Sequence, residues 1–219
     1  MNRDTGTVQA HFCATLAPMP APHQPPIQPA TAQLVTTPLT PRHCPCPHHG
    51  PRPAGARITL LVLHSISLPP GQYGGAQVEQ LFAGTLDWEA HPYFQSIRGL
   101  QVSAHYFIRR CGELLQFVDC ERRAWHAGAS QWQGQPNCND YSIGIELEGL
   151  EGDTFELAQY HTLAALCHEL AARYPLQHVA GHEHIAPGRK ADPGPGFDWA
   201  LLQRLTGWPS ARLVGLWRE

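Results

Sequence analysis

The chain has 219 residues, a mass of 24.2 kDa and a formal net charge of −3 at pH 7, a size that suits one domain with an additional tail. Charged residues make up only 15% of the chain and the pI is about 6.5, which argues against a nucleic-acid-binding protein that works through a basic patch. Hydrophobic residues reach 42%, enough for a buried core. No apolar run approaches the roughly 18 residues that a membrane span needs.

The first 42 residues differ in composition from the rest of the chain. They are rich in Pro, Ala, Thr and Gln and carry almost no charge, and prolines at this density interrupt any helix. We therefore predict a disordered tail over residues 1–42 and a folded domain over residues 43–219. The N-terminus lacks the basic start and the uninterrupted apolar stretch of a secretory signal peptide, so the sequence predicts a cytoplasmic protein.

Strand and helix signals begin at Arg57. The apolar run ITLLVLH predicts a buried strand that ends at His64, and the Pro- and Gly-rich stretch SLPPGQYGG predicts a loop after it. Two short helices are expected in AQVEQLFAG and HPYFQSIRG. A hairpin is expected where HYFIRR and ELLQFV flank the pair Cys111-Gly112, because hairpin connections favour glycine.

The second half of the chain contains the clearest elements. YSIGIELEG alternates, with three aliphatic residues on one face and Glu146 and Glu148 on the other, which predicts a strand between a core and a polar environment. Leucines at helical spacing over residues 155–174 predict a helix that ends before Pro175. LQHVAGH predicts another strand and FDWALLQRL a closing helix. This order predicts an α/β fold, one domain with a mixed central β-sheet and flanking helices.

Seven cysteines, an odd number without a CxxC pair, do not suggest a disulfide framework and are typical of free thiols in a reducing compartment. Cys44 and Cys46 lie beside His43, His48 and His49. Such a Cys/His tract can bind a metal. Because it lies in a proline-rich stretch that nothing preorganises, we favour an adventitious site over a dedicated one.

Polar residues follow the predicted strands at the positions where sites form in helix-covered sheets. His64 ends the first strand, His182 follows a later one, and Asp192 lies ten residues beyond. Two imidazoles, a carboxylate and a water suit a catalytic zinc site. With 14 histidines in the chain, surface or structural histidines would produce the same pattern, and these residues alone leave both interpretations open.

Lys190 is the only lysine in the chain, whereas the other 14 basic residues are arginine. A compact point charge suits an oxyanion site, although chance explains a single lysine equally well. In an extended segment Lys190 and Asp192 point the same way. Glu146 and Glu148 share a strand face, and paired carboxylates can serve a glycosidase. Neighbours on one face are parallel rather than placed across a substrate, so we expect Glu148 on a solvated polar face.

Five segments of the sequence, taken together, carry a specific resemblance. In chain order they are LVLHSISLPPGQYGG, HPYFQSIRGLQVSAHYFIRRCGELLQFV, RRAWHAGAS, CNDYSIGIELEG and GHEHIAPGRKADPGPGFDWA. From about Pro45 to about Leu205 the chain resembles the AmpD-type N-acetylmuramoyl-L-alanine amidases. These belong to the zinc amidase family that also includes phage-lysozyme-type amidases and peptidoglycan recognition proteins.

The resemblance implies a Zn²⁺ site formed by His64, His182 and Asp192. It further implies Glu146 as the catalytic acid–base residue and Lys190 as the residue that stabilises the transition state. The implied substrate is a muropeptide. The implied reaction hydrolyses the amide between the lactyl group of (1,6-anhydro-)N-acetylmuramic acid and L-alanine, in cytoplasmic cell-wall recycling.

Two other functions compete with this one. An exported amidase acting on intact murein requires export, and a non-catalytic peptidoglycan-binding module loses a metal ligand, whereas all three positions are filled here. Ser65 replaces a common Asn of the family and Asn137 replaces an Arg, so both departures are expected to alter substrate contacts. Ser65 and Trp125 are the expected substrate-binding residues, with core packing as the alternative for Trp125.

Three further histidines belong to these segments but not to the implied metal set. They are His105, His126 and His184, and we expect His184 in a loop.

Overall fold

The computed structural model describes residues 39–217 of the protein. The predicted tail lies outside this range except for its last four residues, which belong to the fold. Leu39 packs against the largest core cluster, and Arg42 opens the first strand, so the predicted boundary between residues 42 and 43 falls inside a strand. Within residues 39–217, no helix combines the length and the apolar character needed to cross a membrane.

A mixed six-stranded sheet forms the centre of the domain, with two small sheets beside it. The strands are, in chain order, β1 (Arg42–His43), β2 (His49–Pro51), β3 (Leu60–Ile66), β4 (Tyr106–Ile108), β5 (Leu114–Gln116), β6 (Arg122–Ala124), β7 (Gln131–Trp132), β8 (Gln135–Pro136), β9 (Ser142–Glu148) and β10 (His178–Gly181). The central sheet has the order β1-β5-β4-β9-β3-β10. Its neighbours run parallel except β4 and β5, which form the predicted hairpin. β2 pairs with β6 and β7 with β8, both antiparallel.

Within residues 39–217, five α-helices accompany the sheet: α1 (Gln77–Ala83), α2 (Pro92–Ser96), α3 (Leu157–Arg173), α4 (His182–Ile185) and α5 (Trp199–Thr206). Three 3-10 helices span Cys138–Asp140, Ser210–Arg212 and Val214–Leu216. The long helix α3 begins with a capping box, in which the side chain of Gln159 accepts the backbone N–H of Glu156 at 2.9 Å. It ends at Arg173, and the following Tyr174 is extended before Pro175, as predicted. His184 was expected in a loop, but α4 begins directly after β10 and contains it.

The two faces of the central sheet have different neighbours. Leu61 and Leu63 of β3 and the aliphatic residues of β9 pack against α3 and α5 in one large core. On the opposite face, Phe107 and Leu115 pack against α1 and α2. The fold class predicted from the sequence is confirmed: an α/β domain with helices flanking a mixed sheet.

Candidate active site

The register of three parallel strands brings distant parts of the sequence together. His64 of β3 lies directly opposite Glu146 of β9, on the sheet face away from α3. Gly181, the last residue of β10, pairs with Leu63, so His182 follows beside His64. Strand ends in helix-covered sheets are the usual place for a site, and here they bring together residues 118 positions apart.

Three side-chain atoms converge at this point. His64 Nδ1 lies 3.0 Å from His182 Nδ1 and 3.0 Å from Asp192 Oδ2, and His182 Nδ1 lies 3.2 Å from the same carboxylate oxygen. All three residues are buried, with at most 5% of their surface exposed. In the part of the chain that the structure describes, this is the one group of His, Cys, Asp or Glu side chains found to offer three potential ligand atoms within 4.8 Å of one another.

The donor atoms of the three residues suit a divalent cation. Burial lowers the pKa of His64 to about 4, so its ring is neutral near pH 7, as metal binding requires. Burial opposes ionisation of Asp192, but its contacts with the rings of His182 and His64 bring the pKa of the carboxyl below its usual range. Two imidazoles and one carboxylate are a donor set that zinc accepts. The predicted Cys/His tract around Cys44 forms no comparable group among residues 39–217.

The buried carboxyl of Glu146 lines the same cleft as His64, His182 and Asp192. Only 8% of the residue is exposed, and its Oε2 atom lacks a hydrogen-bond partner among the described residues. Burial raises the pKa of Glu146 well above its usual value, the charge of Asp192 adds to this effect, and Lys190 opposes it. A carboxyl with a raised pKa can both accept and return a proton near neutral pH.

A cleft of about 290 Å³ opens over these groups. Besides the four residues above, its polar lining includes Lys190, Ser65 and His126. Lys190 is exposed to solvent at the cleft, while its charge acts on both Glu146 and His64. The apolar wall is formed by residues of α2, the segment after it and the loop after β9, among them Tyr93, Ile97, Leu100 and Leu150.

The two predicted substrate-binding residues have different positions. Ser65 lines the cleft, and its buried Oγ atom has no hydrogen-bond partner among the described residues. Trp125 is absent from the cleft lining, and its half-buried ring lies 6.2 Å from the ring of His48. Asn137 lies elsewhere, at the end of the β7–β8 hairpin with φ of 57°.

The expectation that Glu148 lies on a solvated face is wrong. The residue is 4% exposed, and its carboxylate accepts the backbone N–H groups of Gly74 and Arg110. These bonds tie the loop after β3 and the β4–β5 turn to the end of β9. Glu148 is therefore a structural carboxylate beside the cleft, and the paired-carboxylate arrangement of a glycosidase is not formed.

Sequence reasoning missed the groups that lie behind the two histidines. His126 Nδ1 lies 2.9 Å from His64 Nε2, and the carbonyl oxygen of Ala127 lies 3.1 Å from His182 Nε2. The guanidinium of Arg189 donates to this carbonyl at 2.8 Å. The only sequence signal for His126 and Ala127 is that both belong to one recognisable segment, RRAWHAGAS.

Comparison with known families agrees with this geometry. Residues 54–195 match the family model described as N-acetylmuramoyl-L-alanine amidase. The match covers more than half of the chain, and the whole site lies within it. The chain belongs to this family. It is therefore an amidase, as the resemblance implied.

Individual relatives of this amidase are similar over most of their length. The 1,6-anhydro-N-acetylmuramyl-L-alanine amidase AmpD of Citrobacter freundii is 52% identical over 166 residues, 75% of this chain and 89% of that protein. AmpD of Escherichia coli K12 is 53% identical over 75% of this chain and 91% of its own.

Solved structures give the same result. The crystal structure of a selenomethionine AmpD derivative matches with a TM-score of 0.74 at 52% identity, over 75% of this chain and 93% of that one. A complex of the Escherichia coli amidase AmiD with the substrate anhydro-N-acetylmuramic acid-L-Ala-D-γ-Glu-L-Lys matches with a TM-score of 0.52 at 30% identity. It covers 70% of this chain and 59% of that one.

Proposed function

We propose that this amidase hydrolyses the amide between the lactyl group of 1,6-anhydro-N-acetylmuramic acid and L-alanine in muropeptides, with zinc as its metal. The convergence of His64, His182 and Asp192 supports this reaction most directly, together with the Glu146 carboxyl, whose Oε2 has no partner within residues 39–217. The similarity to AmpD over three quarters of the chain supports the substrate. The proposal includes a role in cytoplasmic recycling of cell-wall fragments, which fractionation of cells producing the full-length chain would test.

The metal would be held by Nδ1 of both histidines and by the Asp192 carboxylate. A zinc ion bound there would polarise the scissile carbonyl and lower the pKa of a water molecule. Glu146 accepts a proton from the attacking water at its unpartnered Oε2 and delivers it to the nitrogen of the departing L-alanine. The charge of Lys190, the one lysine at the cleft, stabilises the oxygen of the scissile carbonyl as it becomes negative.

The rest of the cleft would orient the muropeptide. The Ser65 side chain would offer a polar contact, and the apolar wall that contains Tyr93 and Leu150 would offer a surface for the non-polar parts of the sugar or peptide. Binding between these walls would place the amide against Glu146 and exclude bulk water from the reacting groups.

The test compares two substrates. The zinc-loaded full-length protein is incubated with a 1,6-anhydro-muropeptide and, separately, with intact murein sacculi, and released peptides are identified by mass spectrometry. We expect stem peptide with a free L-alanine amino terminus from the muropeptide, released about 10²–10⁴-fold more slowly by a Glu146→Gln control. Release from sacculi alone would contradict the proposed substrate, and release from neither would contradict the proposed reaction.

A further inference from the structure

A chain of buried polar groups leads away from His64, and the proposed reaction does not use it. His126 lies behind His64, with Nδ1 2.9 Å from His64 Nε2 and with Nε2 3.1 Å from the Ser142 hydroxyl. The Ser142 hydroxyl lies 2.6 Å from the carbonyl oxygen of Cys138. His64, Ser142 and Cys138 are at most 2% exposed and His126 is 9% exposed, so these groups satisfy one another rather than water. We refer to them as the Cys138–His64 chain.

The direction of the hydrogen bonds in this chain follows from its last member. A carbonyl oxygen can only accept, so the Ser142 hydroxyl donates to Cys138. The lone pair of that hydroxyl then accepts the Nε2–H of His126. A neutral imidazole has one donor and one acceptor nitrogen, so Nδ1 of His126 accepts and His64 Nε2 donates to it. The remaining nitrogen of His64, Nδ1, is left with its lone pair facing Asp192.

One side-chain amide holds this arrangement in place and extends it to the second histidine. Asn139 Oδ1 accepts the backbone N–H of His126 at 3.1 Å and that of Ala127 at 2.8 Å. The carbonyl of Ala127 is the acceptor 3.1 Å from His182 Nε2. Asn139 therefore holds the two residues that contact the Nε2 atoms of the metal-binding histidines. They are His126, which contacts His64, and Ala127, which contacts His182.

We propose that His126 is a positioning residue that fixes His64 in the tautomer with a free Nδ1, and that Asn139 holds the segment on which this depends. The inference rests on the proposed zinc site, because a lone pair on Nδ1 is what a metal ion requires there. Removing a residue that hydrogen-bonds the far nitrogen of a metal-binding histidine typically lowers metal affinity about 10–100-fold. His126 contacts His64 at Nε2 and not at the Nδ1 atom that would bind the metal, so its effect on the metal passes through His64.

The experiment compares two replacements of His126 that separate hydrogen bonding from packing. His126→Asn keeps an acceptor oxygen close to the position of Nδ1 but is smaller, whereas His126→Phe keeps the ring volume but has no acceptor. We expect zinc affinity, measured by competition with a chelating dye, to fall about 10–100-fold in the Phe variant and to be largely restored in the Asn variant. His168→Phe, on α3 beside Trp208, is the matched control and should leave zinc affinity unchanged.

The order of the two variants decides between the interpretations. If His126 served only to fill space, the Phe variant, which keeps the ring volume, would bind zinc more tightly than the Asn variant. That result would overturn the proposal. Thermal melts of the same proteins show whether each variant is folded.

A second measurement needs no variant. Long-range ¹H–¹⁵N spectra of the zinc-loaded, histidine-labelled wild type identify which nitrogen of His64 carries the proton, and we expect Nε2. Zinc bound with the proton on Nδ1 would overturn the proposal. A wild type that binds no zinc, by contrast, would refute the proposed metal site and this inference with it.

Discussion

Gly144 gives a test of the site that can be worked out from distances alone. It lies in β9 on the face that carries Glu146, directly beneath the ring of His126. A Cβ atom added here would lie 2.4 Å from His126 Cγ and 2.6 Å from Cδ2 and Nδ1. The ring cannot retreat freely, because it is buried and both of its nitrogens have partners. Gly144→Ala therefore overpacks the region behind His64.

The expected loss of stability from such overpacking is about 1–3 kcal/mol. For a protein of this length each kcal/mol corresponds to about 2–4 °C in melting temperature, so Gly144→Ala should melt about 2–12 °C lower. Displacement of His126 should also weaken zinc binding. Gly50→Ala is the control, because a Cβ at Gly50 meets nothing within 4 Å. Calorimetry and a zinc competition assay on both variants give the answer, and an unchanged melting temperature and zinc affinity in Gly144→Ala would refute this reasoning.

Four further outcomes are expected. Glu146→Gln should lower kcat by about 10²–10⁴-fold while zinc content stays unchanged; wild-type turnover would exclude its role in proton transfer. Lys190→Ala should lower kcat by about 10²–10³-fold, with KM changing less, and Lys190→Arg should not restore it because the guanidinium is broader; a fully active Arg variant would remove the need for a point charge. Burial and the charge of Arg52 lower the pKa of His105 to about 3; its unfolded pKa is near 6.5, so the stability it contributes is complete above pH 6.5 and falls as the pH drops towards 3. Urea titrations should show a smaller fall for His105→Asn, which keeps an acceptor for the Gly144 N–H. A protein that begins just before Leu39 should keep its melting temperature and activity, and a marked loss of either would show that the preceding residues contribute to the domain.

Local patterns were enough to predict the main elements because each is governed by neighbours in sequence. The helix predicted over residues 155–174 is α3, and the hairpin around Gly112 has the positive φ, 87°, that glycine allows. The short strands β2, β6, β7 and β8 were not predicted. They have two or three residues each, too few to show a period, and they depend on pairing with each other.

The site itself was predicted only in part, because its residues meet through strand order. Sequence patterns place His64 and His182 at strand ends, but only the pairing of β3 with both β9 and β10 makes them neighbours. The groups behind them are harder still to predict. The partner of His182 is a backbone carbonyl, that of Ala127, and any residue type supplies one.

The two glutamates of β9 lie on one face of the strand but have different surroundings, which the alternation of side chains does not predict. Alternation correctly places Glu146 and Glu148 on one face, but it does not say what covers that face at each position. The pairing of β4 with β9 ends at Ile108 and Leu147, after which the β4 chain turns and leaves the N–H of Arg110 free to donate to Glu148. Glu146, the preceding residue on the same face of β9, instead lines the cleft. Its Oε2 atom has no partner among the described residues. A buried carboxylate that receives backbone N–H groups is satisfied and serves the structure, whereas one that lacks them is available for a proton. The difference between a structural and a catalytic carboxylate here is thus decided by where the neighbouring strand ends.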